Sequence, residues 1–124
     1  MTPKRTILLV DDDGDILAMI SILLETKGFE VLTCSSGVEA LEKLKTVKPN
    51  LVLLDVMMPG MSGYDVLVHM KQRPETQNIP VIMVTARGEG TDIISGYQYG
   101  ADYYIPKPFT SDQLLYGISL FVNS

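Results

Sequence analysis

Asp11, Asp12, Asp55, Thr85 and Lys107 have side chains able to do chemistry, and each stands where an apolar run stops. Leu51-Val52-Leu53-Leu54 runs straight into Asp55, and Pro59-Gly60 then keeps the chain from continuing extended. A continuous apolar run bounded by turn residues reads as a strand buried on both faces, the kind found in parallel sheets. Thr6 to Val10 ends in the same way at Asp11 and Asp12, Val81 to Val84 ends at Thr85, and Asp102 to Ile105 leads into Pro106-Lys107-Pro108-Phe109. If these strands are parallel, their carboxyl ends share one edge of the sheet, where open α/β folds bind ligands. Three carboxylates gathered there repel by roughly 4 kcal/mol per pair at 4 Å and an effective dielectric of 20. Lys107 supplies one compensating charge, and a hard divalent ion with oxygen ligands supplies the rest. Mg²⁺ suits a site with few carboxylates, several waters and a substrate phosphate. Asp55 can then act as a nucleophile toward phosphorus, with the Thr85 hydroxyl donating to the same oxygens.

The elements that must position these residues alternate along the chain. Strands are expected at Thr6–Val10, Phe29–Cys34, Leu51–Asp55, Val81–Thr85 and Asp102–Ile105. Helical spacing marks Ile16–Lys27, with Asp13 or Asp15 as its cap and Gly28 at its end, and Gly37–Lys45, broken by Pro49 and Asn50. A third helix starts from a Ser62 cap and ends at Pro74. After the loop Arg87-Gly88-Glu89-Gly90, a short helix covers Asp92–Tyr99, and a last one runs from a Thr110 or Ser111 cap to Val122. Strands and helices in strict alternation predict a three-layer α/β/α fold with a five-stranded parallel sheet covered on both faces. Residues 1–124 are expected to form a single domain.

Composition narrows the function classes. The chain has 124 residues, 46% hydrophobic and 20% charged, and no apolar run of membrane-spanning length. A soluble, cytoplasmic protein is expected, since the basic start lacks a signal peptide's apolar stretch and the single cysteine, Cys34, cannot form an internal disulfide. A net charge of −5 argues against direct binding of nucleic acid by this domain, because phosphate backbones require clustered Lys and Arg.

With these residues in order, the sequence resembles the receiver domains of two-component response regulators, from Thr6 to Val122. The resemblance rests on Asp11-Asp12, on Asp55 with Met58-Pro59-Gly60, on Thr85-Ala86 and on Lys107-Pro108-Phe109. It implies a flavodoxin-like (βα)5 fold in which Asp55 accepts a phosphoryl group from a sensor histidine kinase or a histidine phosphotransfer protein. It also implies Mg²⁺ held by Asp12, Asp55 and the Met57 backbone carbonyl, with Asp11 assisting through water. Lys107 would pair with Asp55 or its phosphate, and the Lys107-Pro108 bond would be cis. Thr85 and Tyr104 would form a switch: as Thr85 moves toward the phosphoryl oxygens, the Tyr104 ring turns inward. That motion would bias the surface made by the Asp92–Tyr99 helix, the fifth strand and the last helix, where an output domain or partner protein docks. Such a domain catalyses only its own phosphorylation and dephosphorylation. Tyr103 and Pro106 depart from the commonest family pattern and imply a stiffer end to the fifth strand. The last helix has no Lys or Arg between Gln113 and Phe121, which argues against the dimerisation mode that uses basic residues there.

Other readings compete with these. Asp11, Asp13 and Asp15 imitate a calcium loop, but Ile16 occupies the required glycine and Ile22 the required glutamate. Asp11-Asp12-Asp13-Gly14 approximates the motif of haloacid-dehalogenase-like phosphatases, which would make Asp11 the nucleophile. A receiver-like interaction module that is never phosphorylated is the third reading. His69 reads as solvated surface, and the tyrosines Tyr97, Tyr99, Tyr103 and Tyr116 can enrich a partner-binding face.

Overall fold

In a computed structural model that describes residues 4–86 and 100–122, the apolar runs become the strands of one sheet. These are β1 (Thr6–Val10), β2 (Glu30–Cys34), β3 (Leu51–Asp55), β4 (Val81–Ala86) and β5 (Tyr103–Lys107). They pair in the order β2-β1-β3-β4-β5 and are parallel throughout. β3 is buried at every position, as a strand covered on both faces must be. Four helices are described: α1 (Gly14–Thr26), α2 (Gly37–Lys43), α3 (Gly63–Lys71) and α4 (Ser111–Ser119). The expected Arg87–Gly90 loop and Asp92–Tyr99 helix lie outside the described residues. No described helix is long and apolar enough to cross a membrane.

Local chemistry sets the helix ends. The Asp13 carboxylate accepts from the amides of Asp15 and Ile16, so α1 begins at Gly14, ahead of the expected Ile16. Gly28 follows the Lys27 cap at φ +94°, a left-handed turn that costs glycine least. Ser62 with Asp65, and Thr110 with Gln113, form reciprocal capping boxes on α3 and α4. α2 and α4 stop short of the expected Lys45 and Val122.

The fifth strand is the main departure from expectation, since it continues through Pro106 to Lys107 instead of ending at Ile105. Within the described sheet β5 pairs only with β4, and a proline is tolerated on such an edge because one side of the strand needs no amide donor. The Lys107-Pro108 peptide that follows is cis.

Strand alternation divides the core. Leu8, Val10, Leu54, Met83 and Tyr104 pack with Ala40 of α2 and with Val66 and Leu67 of α3. Ile7, Leu9, Leu53, Ile82 and Ile105 pack with Ile20 and Leu24 of α1 and with Leu114 and Ile118 of α4. Strand order reverses direction at the β1–β3 pair, so a crevice forms beyond their carboxyl ends.

Candidate functional site

The alternation that buries Leu9, Leu53 and Ile105 toward α1 and α4 carries Asp11, Asp55 and Lys107 onto the same side two positions later, at the rim of the crevice. Lys107 Nζ lies 3.1 Å from Asp11 Oδ2 and 3.4 Å from Asp55 Oδ1. The other oxygen of Asp11 accepts the Asp13 amide at 2.9 Å, and the Asp11 amide donates to the Cys34 carbonyl at 3.1 Å, fixing the acid to the end of β2. Carboxylate oxygens of Asp11, Asp12 and Asp55 all lie within 4.8 Å of one another; Asp11 and Asp55 are buried and Asp12 is exposed.

This crowding has electrostatic consequences. Burial, and next the charge of Asp11, push the Asp55 carboxyl up to about 6, with Asp12 adding to the rise and Lys107 opposing it. For Lys107, burial works against the ammonium. The hydrogen bond to Asp11 and the charges of Asp55 and Asp11 outweigh it and hold the lysine above its ordinary value. Among the described residues, three carboxylates against one ammonium leave a net of two negative charges on oxygen donors. That donor set fits a hard divalent cation such as Mg²⁺.

The remaining expected residues stand close by. Met57 lies in the loop after β3 with its side chain 62% exposed. Thr85 is buried on β4, one residue beyond the Val84 that faces Asp55, and is in register with Pro106. It continues the row of Met83, as Tyr104 does on β5, so Thr85 and Tyr104 are diagonal neighbours on the α3 side. The buried Tyr104 hydroxyl donates to Tyr64 Oη at 3.1 Å. The site thus has two parts, a cluster of Asp11, Asp12, Asp55 and Lys107 and a Thr85–Tyr104 pair on the opposite alternation. The loop and helix from Arg87 to Tyr99, with Tyr97 and Tyr99, lie outside the described residues.

Two contributors escape a reading of the sequence. Gly63 donates its amide to the Val56 carbonyl at 2.9 Å, and a Cβ there would overlap the carbonyl oxygen of Asp55. Its signal was available, since a glycine directly after a helix cap is unfavourable unless backbone must approach closely. Tyr64, the next residue, touches Tyr104 across 40 positions of sequence, and no local pattern announces that contact. Cys34 is buried, and its thiol is pushed up to about 11 by burial and then by Glu39, so it acts as a small hydrophobe. His69 is exposed on α3.

Comparison with known proteins adds a family to this geometry. The family model described as response regulator receiver domain matches residues 7–119. A CpxR homolog described as a transcriptional regulatory protein, from Haemophilus influenzae, is 47% identical over 88% of this chain and 46% of its own length. The phosphate regulon transcriptional regulatory protein PhoB of Rhizobium meliloti is 42% identical over 93% of this chain and 50% of its own length. The chain therefore spans about half the length of the curated relatives it matches. Among solved structures, the chemotaxis protein CheY4 of Vibrio cholerae superposes with a TM-score of 0.91 at 28% identity, over 97% of this chain and 100% of that one.

Proposed function

The chain belongs to the response regulator receiver domains, a family whose general function is to accept a phosphoryl group, and from that premise we propose that Asp55 is the acceptor. The observation that carries the assignment is how the two buried acids are engaged. Both oxygens of Asp11 are taken, by Lys107 and by the Asp13 amide, whereas Asp55 has one oxygen 3.4 Å from Lys107. The same contrast disfavours Asp11 as a phosphatase nucleophile.

A carboxylate oxygen of Asp55 forms a P–O bond as the P–N bond of a phosphohistidine breaks, and the released imidazole nitrogen takes up a proton from water. Water later attacks phosphorus, returning the carboxylate and inorganic phosphate. The phosphohistidine would come from a sensor histidine kinase or a histidine phosphotransfer protein. Lys107 pairs with charge on the transferred group, and the Thr85 hydroxyl donates to it. Asp11, Asp12, Asp55 and the Met57 backbone carbonyl would hold Mg²⁺, which when bound neutralises charge developing on the phosphoryl oxygens.

The acyl phosphate carries about −1.5 to −2 charges on three acceptor oxygens where the carboxylate carried −1, enough to draw Thr85 and reset Tyr104. The output surface includes β5 and α4, where a groove of about 130 Å³ is lined by Tyr103, Ile105, Pro106, Gln113 and Tyr116. Tyr116 is 61% exposed there, as an aromatic anchor for a partner would be. Residues 1–124 act as one receiver unit in the cytoplasm, without contacting nucleic acid themselves.

Intact-mass spectrometry after incubation with Mg²⁺ and acetyl phosphate tests the assignment. One added phosphate on the wild type and none on Asp55→Asn is expected. An adduct that survives Asp55→Asn would move the acceptor to Asp11, and no adduct on the wild type would favour an interaction module.

A further inference from the structure

We infer that Tyr64, on the first turn of α3, is a positioning residue that holds Tyr104 in its buried rotamer and so sets how readily this receiver switches. The inference rests on the reading of Thr85 and Tyr104 as the responding pair. Tyr104 is 7% exposed and packs in the same apolar cluster as Met83, Val66 and Leu67, against which Tyr64 is itself half-buried. A phenol turned into such a cluster must find a partner for its hydroxyl or lose the hydrogen bonds it makes to water. Tyr64 Oη, 3.1 Å away, accepts that hydroxyl. When Tyr104 turns outward the bond is broken, so it favours one of the two conformers and not both. Only differential contacts of this kind shift a conformational equilibrium.

Tyr64 is also tied to the acceptor through the backbone. The preceding residue, Gly63, is pinned by its amide to the Val56 carbonyl and sits so close to the Asp55 carbonyl that no side chain fits between them. The start of α3 therefore follows the end of β3. A displacement of Asp55 on phosphorylation reaches the Tyr104 hydroxyl through Gly63 and Tyr64, a route separate from the one through Thr85.

The test reads the Tyr104 side-chain rotamer by NMR, from three-bond couplings to ring Cγ in tyrosine-labelled protein, with and without Mg²⁺ and acetyl phosphate. In the unphosphorylated protein, Tyr64→Phe keeps the ring and removes one hydroxyl, and the outward-to-buried ratio of Tyr104 should rise by about 2- to 10-fold, the worth of one hydrogen bond. After phosphoryl loading the variant should lag the wild type by the same factor, since the bond acts equally on both equilibria. A ratio unchanged by Tyr64→Phe would overturn the inference, even if the melting temperature fell, because that pattern belongs to a merely structural tyrosine. Failure of the wild type to take a phosphate would sink the acceptor reading, while the unphosphorylated rotamer ratio would still decide the role of Tyr64.

Discussion

Burial strips the Asp55 carboxylate of water, and Asp11 places a like charge beside it, so its proton is held up to about 6 against an ordinary 3.8. The folded protein therefore binds this proton more tightly than the unfolded chain does. The resulting contribution to stability is fully present below the unfolded value and is lost as pH rises through about 6. At neutral pH the ionised Asp55 costs the fold on the order of 3 kcal/mol, at about 1.4 kcal/mol per pH unit of difference. For a domain of this size that is a fall of roughly 10 °C in melting temperature. Melts recorded in chelator should show this contribution shrinking from about pH 4 to pH 7. Asp55→Asn, which has no proton to lose, should melt higher than the wild type near neutrality and approach it in acid. A wild type and Asp55→Asn that keep a constant difference across this range would show that Asp55 is not perturbed. Lys107 is also raised and has the same sense in a different window: its ion pairs are intact at neutral pH, and their contribution is lost only as pH rises into strong alkali. The acid cluster thus trades stability for a carboxylate whose charge a bound cation or phosphoryl chemistry can use.

At the scale of elements, close packing of two helices against strands distinguishes a contact that can give from one that cannot. A Cβ on Gly63 would meet the backbone of Asp55 and Val56, the fixed end of β3, and the start of α3 would have to move away. A Cβ on Gly117 of α4 would stand 2.9 Å from Ile105 Cδ1 and 3.1 Å from Tyr103 Cε2, the outer ends of side chains that can turn. Gly63→Ala should therefore destabilise by about 1–3 kcal/mol, as overpacking does, and slow phosphoryl uptake. In Gly117→Ala the gain of about 1 kcal/mol in helix propensity should offset the local adjustment, leaving stability nearly unchanged. Urea unfolding of the two variants measures the difference, and equal costs would contradict the distinction. The sheet itself was legible because Leu51–Leu54, Ile7–Val10 and Val81–Val84 are uninterrupted apolar runs, and the gathering of Asp11, Asp12, Asp55 and Lys107 followed from parallel strands alone. The end of β5 was not legible, because Pro106 looks like a terminator until the strand is known to lie at an edge. Nor was Tyr64, whose importance comes from a contact that only the packing of α3 creates, whereas Gly63, directly after the Ser62 cap, marks a close approach of backbone without naming its partner.

Across the whole molecule, the acid cluster draws on three strands: Asp11 and Asp12 follow β1, Asp55 ends β3 and Lys107 ends β5. Unfolding any of the three disperses it, so a cation bound there stabilises the complete fold and not one element. The stabilisation follows the logarithm of the ratio of free metal to dissociation constant, reaching about 2.7 kcal/mol at a hundredfold excess. Protons compete for the same oxygens, because a metal ligand must be deprotonated and Asp55 holds its proton up to about 6. The rise in melting temperature on adding a fixed Mg²⁺ concentration should therefore be large near pH 7.5 and fall toward zero near pH 5, about tenfold in affinity per pH unit once below the Asp55 value. Asp55→Asn should remove most of the Mg²⁺ response at both pH values while leaving the fold intact, since the amide keeps the shape of the side chain. A Mg²⁺ response that persisted in Asp55→Asn, or one indifferent to pH in the wild type, would place the ion away from this crevice. The two melting series together separate the cost of the empty acid cluster from the gain on filling it. Their sum decides whether, near neutrality, the acid cluster with its ion is a net gain or a net cost to the fold.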